Sequence, residues 1–185
     1  MPPVVAAPPC PNFAFLREHE PALVLLAAQA EALFVIDPVA SISKLRLFAE
    51  LLAQETAAHV GLYSSRDEPQ ADLVRRLRDR GALPSESDQA FRSLRMAGNE
   101  AVHRNVGDHR EALHQLKLAR GLAVWFHRSF GKTSAAWKPL PFEPPRPPTD
   151  ATATLRGELE ELRTALAAAQ QAAGTAQQAA HDAER

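Results

Sequence analysis

The chain has 185 residues, 45% of them hydrophobic and 23% charged, which is enough for one compact domain of about 130 residues with further segments attached. A net charge of −1 excludes the strongly basic signature of a nucleic-acid binder for the chain as a whole and leaves only a local basic face open. Aromatic residues make up 6%, and Leu and Ala dominate the periodic segments, so the expected class is all-α.

The first residues, MPPVVAAPPCPN, are crowded with proline and carry no period, which predicts an extended or mobile arm over 1–12. A helical bundle is expected over 13–132. Its first helix starts at Pro21, in a first-turn position, and runs through LVLLAAQAEALF to Phe34. Asp37 then caps a second helix with Pro38 in its first turn, and this helix turns Ile42, Leu45, Phe48 and Leu52 inward on the way to Tyr63. A third, near QADLVRRLRDRG, buries Leu73, Val74 and Leu77 and stops at Gly81.

Pro84 and SESD open a fourth helix, with Phe91, Leu94, Gly98 and Val102 on one stripe. Asp108 caps a fifth, from about Arg110 to Phe130, with Leu113, Leu116, Ala123 and Phe126 inward. From Trp137 the text becomes KPLPFEPPRPPTD, which cannot continue a helix. Residues 133–150 therefore read as a semi-rigid proline-rich linker, or as a proline-rich ligand for a partner groove.

Beyond it, Leu155, Leu159, Leu162 and Leu166, continued by Ala169, Ala173, Ala176, Ala180 and Ala183, alternate steps of four and three. That is a heptad seam, and a coiled coil is expected over 151–185. With Leu159 at an a position, Glu158 and Arg163 take the g and e places that pair between chains in a parallel dimer. A solitary solvated helix fits the same residues, because an alanine seam buries little area and Gly174 weakens it. The pattern continues to the last residue without a cap, consistent with a piece of a longer protein.

Within RMAGNEAVH, Arg95, Asn99 and His103 follow at steps of four and share one slowly drifting helix face. The second helix repeats the spacing with Arg46 and Glu50, and a carboxylate in so apolar a helix calls for Arg46, Arg95 or His103 as a partner. One reading is catalytic: His103 as general acid or base, Arg95 stabilising phosphorane charge and Asn99 orienting the ring, for metal-independent RNA cleavage by its own 2′-hydroxyl. The other is a polar network that fixes how the second and fourth helices dock, with Gly98 allowing close approach.

His109, His114 and His127 show no consistent metal spacing, and His59 stands alone. No cofactor and no metal are expected. FGKTS lacks the upstream glycine and the preceding strand of a phosphate loop. Arg75, Arg76, Arg78 and Arg80 on the third helix offer a basic face diluted by Asp72 and Asp79. One cysteine, Cys10, allows no internal disulfide, no segment reaches the length of about 18 apolar residues that suggests a membrane span, and the start lacks a signal-peptide pattern; a cytoplasmic location is expected.

LRMAGNEAVH, with KLRLFAELLAQETAAHVGLY before it and GDHREALHQLKLARGLAVWFHRSFG after it, resembles the HEPN-like all-helical N-terminal domain of type I restriction endonuclease R subunits, which are DEAD/DEAH-box helicase proteins. The resemblance covers roughly residues 12 to 150. It implies anti-phage defence and restriction subunits as partners, with DNA binding by the system and nuclease and helicase motifs elsewhere. HEPN ribonucleases set an Arg, often followed by Asn, shortly before the His; here Gly98 takes the Arg place, Asn99 keeps the next, and Arg95 stands one turn further back. The implied role is a non-catalytic assembly or regulatory module. Two alternatives stay open: a metal-independent HEPN-type ribonuclease acting as toxin or defence effector, and a nucleic-acid-binding module without cleavage. HEPN-like domains often dimerise, so a homodimer through the polar stripe or the coiled coil is a further expectation.

Overall fold

A computed structural model describes residues 10–65, 67–132 and 137–145. The start of the arm, the linker from 146 and the predicted seam of Leu155, Leu159, Leu162 and Leu166 lie outside the described residues. The fold is all-α: α1 (Pro21–Leu33), α2 (Pro38–His59), α3 (Gln70–Asp79), α4 (Ser85–Arg104) and α5 (His109–Phe130), preceded by a 3-10 turn at Ala14–Glu18. Among the described residues there is no strand, and no helix is long and apolar enough to cross a membrane.

Local chemistry sets the helix ends. The Asp37 carboxylate accepts the Ala40 N–H at 2.9 Å and the Asp108 carboxylate accepts that of Glu111 at 2.8 Å, satisfying donors that a helix start leaves unpaired. Gly81 takes φ +69°, and the Ala82 N–H then closes onto the Leu77 carbonyl at 2.9 Å, ending α3. The same closure, Leu62 N–H to Ala57 carbonyl at 2.8 Å, ends α2 at His59, short of the expected Tyr63.

α2 is the central element and lies against α1, α4 and α5. Leu45, Phe48 and Leu52 meet Leu23, Phe91, Leu94, Leu116 and Phe126 in one core, while Ile42 joins Ala101 and Ala112 in a smaller cluster. Two apolar positions depart from expectation. Val102 is 52% exposed because Ala101 supplies the inward contact at that turn, and Leu113 is only half-buried beside the fully enclosed Ala112.

α2 and α4 approach each other closely at Gly98. A Cβ built on Gly98 would fall 2.8 Å from Cγ and 2.7 Å from Cδ of Arg46, so only glycine lets the Arg46 stem lie across the α4 backbone. The segment from Trp137 to Pro145 is non-helical, as its prolines require, and docks on the bundle: Phe142 packs against the core, and Trp137 lies 4.8 Å from the Phe15 ring.

Candidate functional site

The polar stripe of α4 lies at the surface. His103 is exposed, and Arg95 and Asn99 are half-buried, as are Arg46 and Glu50 on α2. Among the described residues no hydrogen bond or ion pair joins any two of these five. The aliphatic stem of Arg46 covers Gly98, and its Nε is buried without a partner. α4 thus meets α2 through a glycine and a hydrocarbon stem at this point. Its polar groups point elsewhere: Arg95 lines a cavity of about 140 Å³ between α3 and α4, together with Arg75, Arg78, Arg92 and Asp88.

Most of the α3 arginine row is already engaged. Arg75 meets Asp72 at 2.9 Å; Arg76 donates to Glu68 at 2.6 Å and to the Leu62 carbonyl at 2.9 Å; Arg78 lies 3.2 Å from Asp79 and 3.8 Å from Asp88. Arg92 and Arg95 have no carboxylate partner among the described residues, and the buried Gln70 that lines the same cavity leaves its Nε2 without an acceptor. This wall of the cavity therefore holds donors that an anion could satisfy.

A second set of polar groups is buried. Glu31, on an otherwise apolar face of α1, receives a hydrogen bond from Asn12, and burial raises its pKa above the ordinary carboxylate range. Asn12 also donates to the Glu143 carbonyl at 2.8 Å and accepts the Glu143 N–H at 2.9 Å. Arg120 of α5 donates to the Leu140 carbonyl at 3.0 Å and lies 4.8 Å from the Phe15 ring centroid. Burial, reinforced by Glu31, raises the Cys10 thiol and keeps it protonated, so it behaves as a small apolar group.

Beside this set, the 3-10 turn brings Glu18 and His19 to the last turns of α5. Nε2 of His19 lies 3.1 Å from Nδ1 of His127, although the two residues are 108 positions apart. Glu18 Oε1 is 3.6 Å from the first nitrogen and 3.5 Å from the second. Burial, and then the neighbouring His127, lower the His19 pKa and favour its neutral form. His127 is 2% exposed, and its Nε2 has no hydrogen-bond partner. Trp137 and Phe15 lie 4.4 and 5.1 Å from its ring. The sequence expectation treated His127 as one of several scattered histidines and passed over His19, since neither has a neighbour at a regular interval.

Over 119 residues, 63% of this chain, the sequence is 34% identical to the type I restriction enzyme EcoKI endonuclease subunit of Escherichia coli (strain K12). The match covers 10% of that protein, so the chain corresponds to a small part of its relative. No family model and no solved structure matches the chain.

Proposed function

We propose that the chain is a HEPN-like, non-catalytic module that serves assembly or regulation in a type I restriction system, working in the cytoplasm with other restriction subunits. The observation that carries this reading is the similarity to the EcoKI endonuclease subunit over 119 residues. The stripe geometry supports the non-catalytic part. A general acid or base must be oriented by a neighbour, and exposed His103 has no hydrogen-bond partner among the described residues, while Gly98 gives its place to the Arg46 stem. A ribonuclease of the HEPN type would need Arg95, Asn99 and His103 to converge, from one chain or across a dimer.

The test has two arms. Labelled single-stranded RNA incubated with the full chain, without added metal, is expected to stay intact; cleavage that disappears in His103→Ala would replace this reading with the ribonuclease. In the second arm, this chain replaces the matching segment of the EcoKI subunit in cells challenged with unmodified phage. Retained restriction is expected, against loss when that segment is deleted. Restriction unaffected by the deletion would sink the assembly role.

A second reading, nucleic-acid binding without cleavage, draws on the cavity between α3 and α4. Arg92 and Arg95 pair with no carboxylate among the described residues, although Asp88 lines the same cavity, and a phosphate would satisfy them together with Gln70 Nε2. Binding through them would weaken steeply with salt and lose part of that salt dependence in Arg92→Ala/Arg95→Ala. Salt-independent binding, or none, would remove this reading.

A further inference from the structure

In the cluster of Glu18, His19 and His127, the two ring nitrogens lie within hydrogen-bond distance of each other at 3.1 Å, but the distances from Glu18 are ones that hydrogen bonding does not explain. A charge-assisted contact between a carboxylate and an imidazolium closes to about 2.7–2.9 Å. Glu18 Oε1 instead stands 3.6 and 3.5 Å from the two ring nitrogens, and the only hydrogen bond it accepts among the described residues is from the Lys132 N–H at 3.3 Å. No Lys or Arg side chain pairs with it there either. A carboxylate thus faces two imidazole nitrogens at separations too long for direct hydrogen bonds.

The three separations of 3.1, 3.5 and 3.6 Å are close to the edges of one tetrahedral face. Donors bound at about 2.0–2.1 Å to a common tetrahedral ion lie about 3.3 Å from one another. We infer that Glu18, His19 and His127 form a site for a divalent transition-metal ion of the zinc class, with Oε1, Nε2 and Nδ1 as its three ligands and a fourth corner left open. Two nitrogens and one carboxylate oxygen suit zinc and its neighbours in the series; magnesium and calcium demand oxygen.

The surroundings fit a held ion. The side chains of His19 and His127 are 5% and 3% exposed, so both rings are fixed by packing, while that of Glu18 is 32% exposed and leaves a route from solvent. His59 flanks the cluster, its ring 6.2 Å from that of His19, with Nδ1 2.9 Å from the Glu55 carbonyl oxygen. A bound ion would tie the 3-10 turn before α1 to the end of α5.

Calorimetric titration of the full chain with Zn2+ at neutral pH tests the site, with Co2+ as a spectroscopic probe for tetrahedral nitrogen and oxygen ligation. One equivalent is expected to bind. Affinity should fall more than about tenfold in Glu18→Gln and further in His127→Gln, since removing a direct ligand costs at least what an outer-shell partner does. Exposed His103→Ala serves as the control and should bind as the parent does. Mg2+ should give no heat at matched concentration. Glu18 sits at the surface, so Glu18→Gln keeps the test sound even where His127→Gln unfolds, and circular dichroism checks each fold. Absence of a stoichiometric equivalent in the parent overturns the inference. So does equal binding by Glu18→Gln, or a loss in His103→Ala that matches it.

Discussion

Two polar regions of this bundle differ in what holds them. Arg95, Asn99 and His103 follow one another on α4, yet none is bonded to another. Asn12, Glu31, Arg120, Glu18, His19 and His127 come from segments far apart in sequence and make contacts across long separations, 108 positions from His19 to His127 and 131 from Asn12 to Glu143. Regular spacing aligns groups along a helix, but only a facing element determines whether they are used. The buried region lies against α1, α5 and the docked Trp137–Pro145 segment, where burial makes partners valuable, and it still leaves Glu31 Oε2, Arg120 Nε and Nη1 and His127 Nε2 without one among the described residues; the exposed end of the stripe at His103 has water instead.

Substitutions should separate the two regions by size of effect. Asn12→Ala removes two bonds to Glu143 and the donor to Glu31, leaving a buried carboxyl short of partners. We expect a loss of about 3 kcal/mol in urea unfolding, the scale for stranding buried polar groups. Trp137 fluorescence should shift as its segment is released. An effect no larger than that of a surface substitution would mean that Asn12 does not hold the segment. Gly98→Ala probes the one tight contact beneath the stripe. Because the new methyl would meet Cγ and Cδ of Arg46 at 2.8 and 2.7 Å, α2 and α4 must part, at about 1–3 kcal/mol.

The fold was legible wherever signals were local. Pro21, Asp37 with Pro38, Gly81 and Asp108 sit where the helices start and stop, because caps and left-handed closures act within a single turn. The 3-10 turn at Ala14–Glu18 escaped notice, since five residues carry no period. The proline density of 137–145 says only that the segment is not helical. Its docking depends on Asn12 and Arg120, which no local pattern announces. The metal-ligand set was illegible for the same reason, with its two histidines 108 positions apart. One sign was present: Glu31 interrupts LVLLAAQAEALF, and a carboxyl in an apolar helix asks for a partner somewhere in the chain.

Glu31 also gives the buried region a pH signature. Its folded-state pKa lies above the usual 4.5, raised by burial against the lowering effects of Asn12, Cys10 and Arg120, with Glu143 adding to the rise. The stability tied to this shift is fully present below the unfolded pKa and is lost as pH rises through the folded one. Relative to Glu31→Gln, the parent protein should therefore lose stability as pH climbs from about 4.5 toward neutrality. Urea midpoints of both proteins across that range measure the difference directly. Parallel curves would mean that Glu31 ionises in the fold as it does in water.

The smallest effect is expected from the stripe itself. His103 is exposed and Asn99 makes no side-chain hydrogen bond among the described residues, so His103→Ala and Asn99→Ala should each change stability by no more than about 0.5 kcal/mol. The two should also add independently, because among the described residues neither bonds to the other or to Glu50. A loss of about 1 kcal/mol or more from either, or a coupling in the double variant, would place the stripe against something that holds it. Concentration dependence then identifies the holder: a penalty that grows with protein concentration points to a second copy seated on α4, and a constant one to contacts within the chain. A stripe indifferent to both substitutions, beside an Asn12 whose loss unfastens the Trp137–Pro145 segment, would establish that spacing and use have come apart in this bundle.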